Sequence, residues 1–426
     1  MENKKKYDFI GYWTNACRFL LAAVFIFSGF VKANDLAGTE YKVQDYITAF
    51  GLNSILPSSV PFFIAFAQAV VEFCIGVYLF WGIRRKISTF LVLLMMSFMT
   101  PLTLWLAVSG KVIDCGCFGD ALVLTNWETF IKNIFLLVAA ISVFRWKDKI
   151  RPLVTSRFDW LIGLYASIYI LIFTFYSYRG LPLFDFRPYY IGANIKKQME
   201  MPKGEKAPVL DTRFILEKNG VKKEFSLDNY PDSTWTFIDS KAIVKEKGYV
   251  PPISDFMIED SETGEDITSK ILDDKNYSFI LVSPSLKKAD DSAIDLINEL
   301  YDYCIDYGYN FYCITSASNE DIDEWKRRTG AEYPFAFADE LMLKTMIRSN
   351  PGLVLIKDAT VINKWSVNDL PDEYVLSDSL DNLPIGKVNQ KTFIHKIFLA
   401  LGWFIVPLLS FSVVDAAWEK YKRNIK

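Results

Sequence analysis

Cys115 and Cys117 stand one glycine apart in the run Lys111-Val112-Ile113-Asp114-Cys115-Gly116-Cys117-Phe118-Gly119-Asp120. Two thiols this close can pair with each other, exchange with thiols of another protein, or hold a soft metal. A disulfide needs Cα atoms about 4.4–6.8 Å apart, and residues two apart in a turned segment fall near the top of that window. Gly116 and Gly119 free the backbone to turn. Asp114 and Asp120 flank the pair, and their charge opposes thiolate formation unless Lys111 or a helix end offsets it. Three chemistries therefore stay open: redox activity, a Cu(I) or Zn site shared with carboxylates, or a structural staple.

The segment lies between two long apolar runs, Ile87–Gly110 and Trp127–Phe144. Four more runs, Ile10–Val31, Pro61–Trp81, Trp160–Tyr178 and Phe393–Val414, have the roughly 20 residues a helix needs to cross a bilayer. A signal peptide is the rival reading of the first run, but the run is long for one and Phe30-Val31-Lys32-Ala33-Asn34 is a poor cleavage context. Gln68 and Glu72 are four apart in the second apolar run and share a helix face. An acid at that depth is costly unless it faces the bundle interior, which makes Glu72 a candidate functional group. Ser28 and Lys32 form a similar face on the first run. Lys32 sits at its outer end, and Glu72 about 11 residues inside the second run, roughly 16 Å deeper at about 1.5 Å per residue. Direct pairing of the two is therefore not expected. Glu128 and Lys132, four apart, stand in the favourable order for an ion pair.

The other four cysteines carry weaker signals. Cys17 and Cys74 read as small packing residues within apolar runs. Cys304 and Cys313 fall on a helix and the following strand, where a structural disulfide is conceivable.

Of 426 residues, 51% are apolar and 23% charged, a mixture that fits a membrane part joined to a water-soluble part. The net charge of −3 gives no footprint for nucleic acid. His395 is the single histidine, which excludes a haem held by two histidines and any His-rich metal site. In a six-span count, Lys4-Lys5-Lys6, Arg84-Arg85-Lys86, Arg145 to Arg157 and Lys420 to Lys426 all fall on one side. The positive-inside rule makes that side the cytoplasm and puts both termini there. Lys32–Val60, the cysteine segment and Arg179–Lys391 then face the extracytoplasmic space, where disulfides persist.

Within the long outer segment, Met199 to Pro208 reads as a linker, and Val209–Ile215 and Lys222–Leu227 as short strands. Strands are expected at Ile253–Ile258, Tyr277–Ser283 and Tyr309–Thr315. Helices are expected at Asp290–Tyr307, Glu320–Thr329 and Leu341–Ile347. Gly352–Ile356 and Val361–Trp365 read as a hairpin around Lys357-Asp358-Ala359-Thr360. This order resembles a thioredoxin-type fold of the peroxiredoxin and TlpA sort, with Pro252, Phe256, Asp260 and Gly264 matching its lead-in. Asn350-Pro351 falls where such folds carry a cis-proline. The resemblance implies a Cys-x-x-Cys after Tyr277–Ser283, yet the chain reads Pro284-Ser285-Leu286-Lys287-Lys288. The domain is expected to lack disulfide chemistry of its own, and instead to dock a partner or cover the membrane segment.

The first third of the chain resembles the DoxX-type four-helix membrane module, in the branch of the methylamine-utilisation protein MauE. Phe27-Ser28-Gly29-Phe30-Val31-Lys32, Glu72-Phe73-Cys74-Ile75-Gly76-Val77, Pro101-Leu102-Thr103 and Asp114-Cys115-Gly116-Cys117-Phe118-Gly119-Asp120 carry the resemblance. It implies extracytoplasmic redox or disulfide chemistry, with quinone as a cofactor and a disulfide-rich envelope protein as a partner. The expected architecture is an α-helical membrane bundle with an α/β thioredoxin-like soluble domain. Residues 1–150 form the four-span core and 151–184 the fifth span. The outer domain is 185–390, thioredoxin-like from about 250, and 391–426 hold the sixth span and a basic tail. The expected site comprises Cys115, Cys117, Asp114, Asp120 and Glu72 for the chemistry, and Gln68, Lys32 and Ser28 for the cofactor. The rival functions are a non-enzymatic membrane scaffold and a soft-metal transporter or chaperone.

Overall fold

A computed structural model describes residues 8–425 apart from 113, 219, 220, 227, 228, 233, 247, 255 and 389–391. Lys4-Lys5-Lys6, Ile113 and Leu227, which the sequence reading used, lie outside the described residues.

Six helices are long and apolar enough to cross a membrane. They are α1 (Phe9–Asn34), α3 (Val60–Trp81), α4 (Arg85–Ser109), α5 (Asn126–Arg145), α6 (Asp159–Arg179) and α12 (Thr392–Ile425), and α2 (Leu36–Ala49) is a shorter helix between the first two. All six expected runs are helical, so the chain is a multi-pass membrane protein. Local chemistry sets several ends. Asp8 accepts the Gly11 N–H at the start of α1, and Thr125 with Glu128 closes a capping box on α5. Gly110, at φ 63°, ends α4 immediately before the cysteine segment.

The α1–α3 pair is the axis of the bundle. A Cβ on Gly29 would lie 2.4 Å from the Phe73 backbone nitrogen, and one on Gly76 would lie 2.6 Å from that of Ile26. These two glycines let the backbones of the antiparallel helices touch. Helix α5 packs on α1 and α4, and α6 packs on α3. Helix α12 rests on α6, where the Tyr169 hydroxyl donates to the Ala400 carbonyl.

Helix α2 is absent from the sequence expectation for Lys32–Val60. Asp35 caps its start, and Leu36, Val43 and Ile47 pack it against Ala65 at the outer end of α3.

The soluble part begins after α6 with α7 (Ile195–Met199) and a three-stranded antiparallel sheet, in the order β2-β1-β3, of β1 (Val209–Lys218), β2 (Val221–Ser226) and β3 (Thr236–Glu246). The third strand is a further element that the sequence reading lacked.

A six-stranded sheet follows in the order β4-β7-β6-β5-β8-β9, from β4 (Glu259–Asp260), β5 (Tyr277–Ser283), β6 (Asn310–Thr315), β7 (Phe335–Phe337), β8 (Gly352–Lys357) and β9 (Thr360–Ser366). Strands β5, β6 and β7 run parallel, connected through α9 (Ile294–Tyr307) and α10 (Asn319–Thr329). Strands β8 and β9 are antiparallel. Helix α8 (Thr268–Leu272) precedes β5, and α11 (Glu340–Met346) precedes β8. Strand β5 is buried along its whole length between two apolar layers, one centred on Met346 and Val354 and the other on Trp325 and Tyr333. The Asn350–Pro351 bond is cis. This topology is thioredoxin-like. Ile253–Ile258 departs from expectation: its described residues form no strand, and β4 pairs only Glu259 and Asp260 with β7. Ile253, Phe256 and Ile258 are core residues all the same, so the apolar alternation there records burial without a ladder.

Candidate functional site

Cys115 and Cys117 are joined in a disulfide, with Cα atoms 5.4 Å apart. That separation is mid-window, shorter than the spacing alone suggests. Gly116 adopts φ +66°, and its N–H donates to Asp114 Oδ1 at 2.8 Å, which folds the segment tightly. Both cysteine carbonyls are held: the Tyr46 hydroxyl donates to that of Cys115 at 3.0 Å, and Lys32 Nζ to that of Cys117 at 2.9 Å. Cys115 is buried beside Leu106, while Cys117 is partly exposed.

Beneath the disulfide, α1 and α3 bring Ser28, Lys32, Gln68 and Glu72 together. Lys32 Nζ lies 2.7 Å from Glu72 Oε2 and 2.6 Å from Ser28 Oγ. With the Cys117 carbonyl, those two acceptors use all three ammonium protons. Ser28 Oγ is 2.7 Å from Glu72 Oε2 and 2.6 Å from the Cys117 carbonyl, with one proton to share between them. Gln68 Nε2 donates to Glu72 Oε1 at 2.9 Å. The Lys32 and Glu72 side chains are only 3% and 7% exposed.

This pairing corrects the sequence estimate of depth. The estimate placed the start of α3 level with the end of α1. In the fold, Gly29 faces Ala69 and Phe73, so Lys32 lies within about one helical turn of Glu72. The outer turns of α3 project past α1 and are covered by α2.

The two aspartates are neutralised from elsewhere in the chain. Asp114 pairs with Lys42 of α2 at 2.9 Å. Asp120 pairs at 3.2 Å with Arg348 of the soluble domain, which also grips Asp35 at 3.0 Å and lies over the Tyr41 ring. Burial pushes the Asp120 carboxyl up, and Arg348 works against it. Lys111, the counter-charge expected from sequence, is exposed. Lys42 and Arg348 were missed because nothing local in the sequence links them to the cysteines.

A cleft opens below Cys117 between α1, α4 and α5, and Lys132 reaches it. Lys132 is not ion-paired along its helix as expected. Glu128 is engaged by Thr125, while the Lys132 ammonium lies 4.1 Å from the centre of the Phe118 ring. Among the described residues, no three His, Cys, Asp or Glu side chains converge to hold a metal.

Cys17 is buried in the bundle, and Cys74 lies 3.6 Å from Ser167 Oγ. Cys304 and Cys313 are free, so the disulfide considered for them is not formed. Burial pushes both thiols far up, which leaves them inert. In the soluble domain, Ser283 Oγ contacts Asn350 Oδ1 at 2.7 Å, and Asn350 Nδ2 donates to the Ser285 carbonyl at 2.9 Å. Ser283 and Asn350 thus contact each other beside the cis-proline, next to the Pro284–Lys288 stretch where the resemblance implies a Cys-x-x-Cys.

Residues 10–145 match the family profile described as methylamine utilisation protein MauE. Residues 210–247 match a profile described as a domain of unknown function (DUF8463). No curated protein matches the sequence. Two solved structures resemble part of the chain. One is the solution structure of a candidate protein disulfide isomerase from Bacteroides thetaiotaomicron, 12% identical, covering 33% of this chain and 91% of that one with a TM-score of 0.26. The other is an uncharacterised conserved protein from Geobacillus kaustophilus, 16% identical, covering 32% of this chain and 82% of that one with a TM-score of 0.25.

Proposed function

We propose that this protein is a membrane redox component that exchanges electrons with thiols of an extracytoplasmic protein partner through Cys115–Cys117 and delivers them to a quinone dissolved in membrane lipid. The observation that carries the reading is the Ser28–Lys32–Glu72 network seated directly on the Cys117 carbonyl. A staple would need only the turn made by Gly116 and Asp114. A buried ion pair under a disulfide is a costly arrangement that supplies a proton-bearing group to the place where thiols form and disappear.

The basic residues of the two even-numbered connections and of both termini support an inner-membrane orientation with both termini cytoplasmic and the cysteine segment outside. A partner dithiol attacks the pair, its sulfurs become the new disulfide, and Cys115 and Cys117 are left as thiols. Reoxidation removes two electrons and two protons from them. A quinone takes up both, and the Gln68–Glu72 face lies where protons must pass. The thioredoxin-like domain, without cysteines beside its cis-proline and fastened to the segment by Arg348, serves as its cover.

Trapping thiols in intact cells with a reagent that cannot cross membranes tests this reading. The wild type is expected to show Cys115 and Cys117 cycling, and Glu72→Gln to accumulate them reduced, because glutamine keeps the shape but carries no exchangeable acid. Reoxidation of Glu72→Gln at the wild-type rate would make Glu72 a packing residue. A pair that never becomes reduced would favour the scaffold reading.

A further inference from the structure

The cleft under Cys117 has walls that its depth alone does not require. Met95, Met96 and Met99 of α4 face Phe25 of α1 and Leu136 of α5 across it. Three thioethers in one cleft make an apolar, polarisable and adaptable lining that accepts a flat ring. Into this lining reaches the Lys132 ammonium. It has a cation–π contact with Phe118, and among the described residues it makes no ion pair or hydrogen bond. Ser28, Lys32 and Glu72 also line the cleft, but Lys132 forms no hydrogen bond with them, and a buried ammonium is costly unless something accepts its protons. The cleft therefore holds an unused donor, and its occupant must present an oxygen to it.

The neighbouring cation, Lys32, is already saturated by Glu72, Ser28 and the Cys117 carbonyl. Lys132 is the one of the two that is free to receive a ligand. Helices α4 and α5 expose their outer faces, with Phe90, Leu94 and Phe98 on the first and Ile131, Phe135 and Val138 on the second. A ligand dissolved in lipid can approach the bundle along these faces without crossing water.

We infer that this cleft is the quinone site, with the ring against the α4 methionines and one ring oxygen held by Lys132. The inference rests on the redox reading above and adds the place and the positioning residue. The step balances. Two S–H bonds of Cys115 and Cys117 break and one S–S bond forms, and the two electrons and two protons end on the two ring oxygens as a quinol. Negative charge grows on the oxygen beside Lys132 as the electrons arrive, and a fixed ammonium in a low-dielectric cleft stabilises it there. Asn133, next along α5, donates to Thr103 Oγ1 and holds α5 against α4 at this level.

The test uses the full-length protein in detergent, reduced and mixed with a short-chain ubiquinone analogue, and follows quinone absorbance. Lys132→Gln is expected to slow quinone reduction at least 10-fold, while the rate at which a soluble dithiol reduces Cys115–Cys117 stays as in the wild type. Lys132→Arg should restore most of the quinone rate. Independently of turnover, a photoactivatable azidoquinone should cross-link to peptides carrying Met95–Met99 or Lys132–Leu136, and Met99→Trp, which fills the cleft, should abolish that labelling. Cross-links confined to other helices, or unchanged quinone rates in both Lys132→Gln and Met99→Trp, would overturn the site while leaving the redox reading standing. A wild-type protein that cycles with dithiol but reduces no quinone analogue would overturn both the quinone reading and this site.

Discussion

The Lys32–Glu72 pair makes a quantitative prediction, because its two members are unequal to their absence. Removing Lys32 as Lys32→Met leaves Glu72 with only Ser28 and Gln68 as donors, in a site where both side chains are almost wholly buried. Breaking a buried pair from one side costs about 3–5 kcal/mol. The two remaining hydrogen bonds argue for the lower end, about 3 kcal/mol. The Cys117 carbonyl also loses one of its two partners, for roughly 1 kcal/mol more. The double variant Lys32→Met/Glu72→Met removes both charges and restores apolar contact between α1 and α3. Well-packed apolar replacements of buried pairs are often close to neutral, so its net cost should be no more than about 1–2 kcal/mol. Lys32→Met alone should thus cost about 2–3 kcal/mol more than the double variant, so the single effects are far from additive. Unfolding of the detergent-solubilised full chain in sodium dodecyl sulfate, followed by far-ultraviolet circular dichroism, measures all four corners of the cycle. Additive single effects, with coupling below about 0.5 kcal/mol, would refute the pairing on which the site is built. The double variant should also fold yet accumulate Cys115 and Cys117 as thiols, which separates stability from chemistry.

Two further outcomes concern the soluble domain. Arg348→Ala removes the group that ties the domain to Asp35 and Asp120, which should raise the undocked population about 100-fold for a loss of roughly 3 kcal/mol. Spin labels at the exposed Gln44 and Leu341 should then show a second, longer distance, and a single unchanged distance would mean that other contacts suffice. Burial acts to raise the Asp185 carboxyl, but Lys364 and Arg187 outweigh it and hold it at about 2, against an ordinary value of 3.8. A depressed carboxyl contributes stability that is complete above its unfolded value and is lost as pH falls toward 2, here about 2 kcal/mol. Asp185→Asn should therefore destabilise the domain at about pH 6 and cease to matter near pH 2, as read by urea unfolding, whereas an equal deficit at both pH values would rule the linkage out.

What the sequence revealed and what it hid divide along physical lines. The six spans and the β5–α9–β6–α10 order were legible because burial imposes composition and period on each element separately. Helix α2 was hidden because few apolar residues mark it, although Asp35 as a cap and Val43 with Ile47 one turn apart were available signals. The register of α1 on α3 belongs to neither helix alone. Gly29 and Gly76 set it by permitting backbone contact, and an estimate made from each span's own ends misplaces Lys32 by about two turns or more. The charges around the disulfide are still more remote. Lys42 is 72 residues from Asp114, and Arg348 is 228 residues from Asp120. Local reading sees two aspartates that oppose a thiolate, and the fold answers each with a cation from a different part of the chain. A soluble domain that was merely tethered would leave Asp120 uncompensated beside Asp35. By supplying Arg348 to both, the domain that has no cysteine pair beside its cis-proline completes the electrostatics of the segment that holds the disulfide.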